Sequence, residues 1–331
     1  MSMEFPHPLP TAAALTAVLL AASRYGAHLV LSGGTRIPLT VYPEDLGLPY
    51  EKANFKTGDG VTLRAWFIPS ESPSDRTLIL CHGWGGNKGE ILKATASLRN
   101  RGFNLFYFDF RFCGESDGAL SSVGYLEARD LDAAVLFLKS IRPLDRLGVY
   151  GLSMGAMVAL TGMTRHPEIA TAVLESPYAS HNQAVARYAW MTKGIPFYPL
   201  MPLIFFWMRR ILGGDPETAS PEKLAPLLKD AAVLMIYGEL DTSAPPETGK
   251  MLLGKFSGSK QFWVVPGAGH AQCAAASGRI YPDRLAGFYA RHLPSGISAC
   301  ARQLSEVHQN SYSGRGCVVD HLPSAGCPED T

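Results

Sequence analysis

Several motifs are missing from this sequence, and each absence removes a class of function. There is no G-x-x-x-x-G-K-[ST] and no G-x-G-x-x-G, so the backbone cradles that hold nucleotide phosphates have no representative. None of the six cysteines (Cys81, Cys113, Cys273, Cys300, Cys317 and Cys327) forms a C-x-x-C pair, and no Cys/His cluster has zinc spacing. Neither a metal site nor a disulfide framework is expected. An excess of one charge is also lacking. The 30 basic and 29 acidic residues leave a net charge of +1, which gives no reason to expect nucleic acid or an acidic partner. No repeat with a period of 20–50 residues occurs, which excludes solenoids and propellers.

What is present is apolar. Of 331 residues, 47% are hydrophobic and 18% charged, enough for one large α/β core. Near the N-terminus, "LPTAAALTAVLLAAS" (9–23) is interrupted by Arg24 and resumes as "YGAHLVLSGG" (25–34). The first part is shorter than the roughly 20 residues of a membrane span, and it lacks the basic n-region of a secretory signal. Read across Arg24, whose long side chain can snorkel, it forms a marginal span. A membrane-associated helix is expected; a cleaved signal or a soluble packing helix are the alternatives. The chain is otherwise expected to be cytoplasmic.

From residue 50 the periodicity becomes regular. "ANFKTGDGVTLRAWFIPS" (53–70) reads as two strands joined by a Gly/Asp turn. Short apolar runs at 77–83, 103–110, 146–151, 169–176, 231–238 and 261–267 read as strands buried on both faces. Helical patterns lie between them: one capped by Asn87 with Glu90 as its reciprocal partner, then 124–140, 154–166 and 279–293. Such alternation predicts an α/β fold with a mostly parallel central sheet and helices on both faces. Residues 178–228 exceed a simple crossover and hold "GIPFYPLMPLIFFWMRRILGG" (194–214), which predicts a short helical lid. The expected organisation is therefore an N-terminal helix and lead-in (1–49), a main domain (50–293), and a disordered Ser/Gly/Pro-rich tail (294–331).

Catalytic chemistry is expected around "YGLSMGAMVAL" (150–160), where Gly151-Leu152-Ser153-Met154-Gly155 follows a strand and opens a helix. A sharp strand-to-helix turn needs small flanking residues, lifts the serine hydroxyl off the sheet, and aims a helix N-terminus at the reacting oxygen. A serine hydroxyl needs a base. His270, in the Gly-rich loop of "VVPGAGHA", is the candidate; His166, His181, His292 and the tail histidines read as surface residues. Asp241, in "YGELDTSAPP", is the candidate to orient the base, with Glu175 and Glu239 as rivals. The "CHGWGG" turn (His82, Gly83, Trp84, Gly85, Gly86) lets backbone approach a ligand closely. Its Trp84 N–H and the Met154 N–H are the expected oxyanion donors.

These residues carry a resemblance. The chain over roughly 50–293 resembles an α/β-hydrolase fold serine hydrolase, on His82-Gly83-Trp84-Gly85-Gly86, "FDFRFCGESDG" (108–118), the Ser153 pentapeptide, "YGELDTSAPP" and "GAGH" (267–270). Within that fold it is similar to the serine aminopeptidase-like (S33-type) and BEM46-like branch. It departs from that branch at Phe112-Cys113, where relatives usually carry a glycine-containing turn, and at Ser243-Ala244, where a more apolar step is common. The resemblance implies the order Ser153, Asp241, His270, an acyl-enzyme route, and no cofactor. Trp190, Phe197, Tyr198, Phe205, Phe206 and Trp207 in the lid favour a small-molecule ester or thioester with an apolar acyl group. An aminopeptidase, an acyltransferase on the same triad, and a catalytically silent binding protein remain open. Residues 178–214 offer no carboxylate to hold a peptide ammonium, which weighs against the first. Oligomeric state is not legible.

Overall fold

The computed structural model of the chain describes residues 8–32, 36–143 and 145–296. Most of the tail expected from 294 onward therefore lies outside the described residues. A helix, α1 (Pro8–Leu31), precedes the antiparallel pair β1 (Glu51–Lys56) and β2 (Thr62–Ile68). There follow β3 (Arg76–Cys81), α2 (Leu92–Thr95), β4 (Asn104–Phe108), α3 (Glu127–Ile141), β5 (Arg146–Leu152), α4 (Met154–Arg165) and β6 (Thr171–Glu175). The segment expected to form a lid holds α5 (His181–Lys193), α6 (Leu200–Leu212) and the short α7 (Pro221–Leu224). The chain then returns through β7 (Ala232–Gly238), α8 (Pro246–Lys255), β8 (Lys260–Val265), α9 (Cys273–Ser277) and α10 (Ile280–His292).

The eight strands form one sheet in the order β1-β2-β4-β3-β5-β6-β7-β8. β2 runs antiparallel to both neighbours, and every pairing from β4 to β8 is parallel. Successive strand side chains point to opposite faces. Ile79, Cys81, Phe106, Phe108, Val233 and Met235 accordingly pack with α3, α4 and α8. Leu78, Leu80, Leu105, Tyr107, Leu234 and Ile236 pack on the other face with α2 and α10. Both faces are covered, which is why these strands read as unbroken apolar runs.

The helix expected to start at Asn87 differs. Asn87 instead ties the chain down: its Nδ2 donates to the carbonyls of Ile37 and Pro38, and its Oδ1 accepts from the Gly89 N–H. No capping box forms with Glu90, and only one turn of α-helix, α2, precedes a 3₁₀ stretch at Ala96–Arg101. The side chain that could have capped is spent on the lead-in. The apolar face expected there survives, since Ile91, Leu92, Thr95 and Leu98 are all buried.

Two ion clusters, each built on a buried cation and a buried aspartate, hold the loop after β4. Lys88 Nζ lies 2.5 Å from Asp109 Oδ2 and 2.6 Å from Glu115 Oε2, and Lys88 N–H donates to Asp109 Oδ1 at 2.7 Å. Arg111 bridges Asp130 of α3 (2.7 Å) and Asp59 in the β1–β2 turn (2.9 Å). Charges removed from water are tolerated when paired and hydrogen-bonded like this, and removing one partner strands the other. In the same loop Phe112 sits in the left-handed region (φ 63°). A bulky residue there occupies backbone space that glycine takes without strain.

Candidate active site

β5 and α4 are nearly continuous in sequence, and the join is the tightest turn in the site. Ser153 occupies it alone at φ 52°, ψ −110°. Its N–H donates to the Glu175 carbonyl at 2.8 Å, which fastens the turn to the end of β6. A Cβ on Gly155 would overlap the Cys81 and His82 carbonyl oxygens, and one on Gly151 would overlap the backbone of Gly155 and Ala156. The two glycines therefore let α4 start against the ends of β3 and β5, and the serine between them is forced outward.

Asp241 and His270 follow β7 and β8, the next strands toward the sheet edge. His270 Nε2 lies 3.0 Å from Ser153 Oγ, and His270 Nδ1 lies 2.8 Å from Asp241 Oδ2. With a carboxylate on one side, the neutral ring carries its proton on Nδ1 and leaves Nε2 free to accept from the hydroxyl. The Asp241 side chain is fully buried. Its Oδ1 accepts from the N–H groups of Ser243 (2.9 Å) and Ala244 (2.7 Å), and its Oδ2 also accepts from Ser176 Oγ (2.8 Å). Burial pushes the Asp241 pKa up, but His270, the Ala244 N–H and the Ser176 hydroxyl outweigh it and hold the carboxyl below its ordinary value. The Ser243-Ala244 step thus supplies two donors to Asp241, while the Ala244 side chain is buried in the core.

The rival carboxylates are occupied elsewhere. Glu175 is buried and accepts from the hydroxyls of Tyr150 and Tyr281 and from the Cys273 N–H. Glu239 Oε2 accepts from the Gly267 N–H at 2.9 Å.

On the other side of Ser153 lies the His82–Gly86 turn. His82 is fully buried, and burial pushes its pKa down. The Phe110 N–H donates to its Nε2 at 3.1 Å, so its proton sits on Nδ1, 2.7 Å from the Gly83 carbonyl. The ring pins the turn to the loop that the buried ions hold. Gly85 takes a left-handed φ of 73°, as a Gly-rich turn allows. Gly83, Trp84, Met154 and Ser153 all border one cavity of about 350 Å³, within the range of small-molecule sites.

Five non-glycine residues among those described have positive φ: Phe112, Val123, Ser153, Ser176 and Ala271. The last four line this cavity. Strained backbone of this kind persists only where its surroundings over-determine it, and it gathers at functional sites.

Some residues escaped sequence reasoning. Ser176 is a second orienter of Asp241; its position at the end of β6 was the available signal. Glu90 borders the cavity from the oxyanion-turn side, and Val30 of α1 borders it from the N-terminal segment. His181, expected on the surface, is fully buried at the start of α5, with Nε2 3.1 Å from the Ser122 carbonyl. Trp84 packs edge-on against Tyr188 at 4.8 Å, which joins the turn to the lid. Among the described residues, no group of three or more His, Cys, Asp or Glu could hold a metal ion.

Comparison with known proteins places the chain among α/β-hydrolases. The family model described as serine aminopeptidase, S33 matches residues 72–214. An uncharacterized protein of Mycobacterium tuberculosis is 30% identical over 236 residues, 70% of this chain and 76% of that protein. The protein bem46 of Schizosaccharomyces pombe is 26% identical over 252 residues, 74% of this chain and 79% of its own. Among solved structures, an esterase of Pyrococcus furiosus superposes with a TM-score of 0.65 at 26% identity, covering 79% of this chain and 98% of the esterase.

The lowered Asp241 pKa has a consequence for stability. The unfolded chain takes up the proton at the ordinary carboxylate value, near pH 4, before the folded site does. The charged Asp241 therefore contributes stability above that pH, and the contribution is lost as pH falls toward the lowered folded value. Asp59, held low first by its hydrogen bonds from Arg111, has the same sign, so the difference between two proteins isolates Asp241. Urea midpoints stepped through acid should fall less steeply for Asp241→Asn than for the wild type. Parallel curves would contradict the assignment.

Proposed function

The chain belongs to the serine aminopeptidase, S33, family of α/β-hydrolases, and from that premise we propose that it hydrolyses carboxylic esters or thioesters with an apolar acyl group. The observation that carries the reading is the hydrogen-bonded line from Asp241 through His270 to Ser153 at 2.8 and 3.0 Å, opening into a mostly apolar cavity. Ser153 Oγ attacks the acyl carbonyl carbon as its proton passes to His270 Nε2. Asp241 holds the ring in the required tautomer and stabilises the imidazolium. The Trp84 and Met154 N–H groups receive the oxyanion, the latter with the dipole of α4 behind it. The imidazolium then protonates the departing alkoxide or thiolate. Water, deprotonated by His270, opens the acyl-enzyme and returns Ser153. No step as written draws on a metal or an organic cofactor.

Glu90 favours a second reading. A carboxylate bordering the cavity could hold the ammonium of an aminoacyl substrate, which the lid segment cannot. One panel separates the two: p-nitrophenyl esters of increasing chain length beside aminoacyl p-nitroanilides, with wild type, Ser153→Ala and Glu90→Gln. We expect hydrolysis of the esters to rise with chain length and to fall about 10⁶-fold in kcat in Ser153→Ala. Ser153→Ala at wild-type rate would overturn the mechanism. Anilide hydrolysis that exceeds ester hydrolysis and collapses in Glu90→Gln would replace the esterase reading with the aminopeptidase one.

The reading includes a location. Ala12–Leu31 is one helix, long and apolar enough to cross a membrane. Its residues 12–18 are all exposed, with Leu15 and Val18 prominent. We propose that this segment associates with a lipid bilayer. The full chain should stay in the membrane pellet after carbonate extraction, and a chain that washes off would contradict the proposal.

A further inference from the structure

α1 has two halves that behave differently. Beyond the exposed turns 12–18, Ser23, Ala27 and Leu31 are buried, and Leu19, Gly26 and Val30 are half-buried. This spacing of three and four residues draws one stripe along a helix. The stripe lies against the lid helix α6 rather than against the sheet. Ala27 and Leu31 share a cluster with Met201, Ile204, Phe205 and Met208 of α6 and with Val185 and Ala189 of α5. This cluster is separate from the two cores that cover the sheet.

The contact is specific. Gly26 leaves room for an α6 side chain: a Cβ there would meet Ile204 Cδ1 at 2.9 Å. The Trp207 indole N–H donates to Ser23 Oγ at 3.2 Å, and the Arg24 guanidinium lies over the same indole at 5.3 Å. At the end of α1, the Leu31 carbonyl accepts from the Ser121 N–H at 2.8 Å, two residues before the strained Val123 in the cavity wall. The residue just before it, Val30, itself reaches the cavity that holds Ser153.

We propose that α1 is a working part of the acyl-binding site: its last turns brace the lid helix α6 and its Val30 forms part of the wall that decides which acyl chains fit. The inference rests on the acyl-hydrolase reading and deepens it. The ligand class is an ester or thioester whose acyl chain is long enough to run from Ser153 past Val30, between α1 and α5. Val185, Tyr188 and Met191 of α5 border the same space. The apolar lid residues therefore have two destinations. Met201, Ile204 and Phe205 pack on α1 and α5, while Tyr188 and Met191 border the substrate space. The helix proposed to meet the bilayer is also the helix that selects the chain.

The test uses the full chain in detergent and two alkyl fluorophosphonates, ethyl and dodecyl, that label an activated serine without needing the natural substrate. The quantity read is the ratio of the two second-order labelling rates, which cancels changes in the nucleophile itself. Val30→Trp fills the wall, and the dodecyl-to-ethyl ratio should fall about tenfold, the scale on which apolar pockets discriminate by size. Gly26→Leu, which wedges α1 away from α6, should lower the ratio in the same direction. If neither variant folds, Val30→Ala decides: the widened wall should raise the ratio. Unchanged ratios in folded variants would overturn the inference and leave the esterase reading intact. A wild type that takes neither probe would overturn the acyl-hydrolase reading, and this inference with it.

Discussion

The turn at Ser153 is the constraint on which the rest depends. β5 must stop and α4 must start within one residue, against the ends of β3 and its following turn. Only a left-handed residue flanked by glycines makes that join, because any side chain at Gly151 or Gly155 would run into backbone. A non-glycine residue in this conformation costs on the order of 1–3 kcal/mol. The cost is offset by an eight-stranded sheet whose inner strands are packed on both faces, and by the Ser153 N–H bond to the Glu175 carbonyl. The strain has a direction: it presents Oγ to the space above the sheet, where His270 arrives from the loop after β8.

The partners of Ser153 are held by different means. Asp241 sits out of water and is kept charged by four donors, so it acts as a fixed negative end for the imidazole. The His82–Gly86 turn is held from behind by the neutral His82, and the loop behind His82 is held in turn by Lys88 and Arg111 among their carboxylates. Lys88, Asp109, Arg111 and Asp130 are thus buried where rigidity is needed, while the cavity beside Ser153 is mostly apolar. With the two separated, the apolar acyl group we propose as substrate would enter without desolvating the ions that shape the site.

How much of this the sequence discloses follows from how local each requirement is. Gly151, Ser153 and Gly155 serve one turn, so their spacing is visible in five residues. Asp241 and His270 stand just past apolar runs, and strand order alone brings them to the same end of the sheet. The strands themselves are legible because both faces are buried. What escaped depends on partners distant in the chain. Asn87 and Glu90 match a helix cap locally, yet Asn87 bonds to Ile37 and Pro38, some fifty residues away. His181 reads as polar and exposed, yet it is buried at the start of α5 through contacts with Ser122 and Ser220. The stripe on α1 is masked because the whole segment is apolar, so no periodicity marks which face meets α6. Val30 and the glycine contact at Gly26 become visible only when both helices are in place.

The central claim is that this strained turn creates an activated serine. It is tested most directly by treating the purified full chain with a fluorophosphonate and reading intact mass and the modified peptide. The account predicts one adduct, on Ser153, in a protein whose other serines stay untouched. A folded protein that takes no adduct, or takes it on another residue, would contradict it.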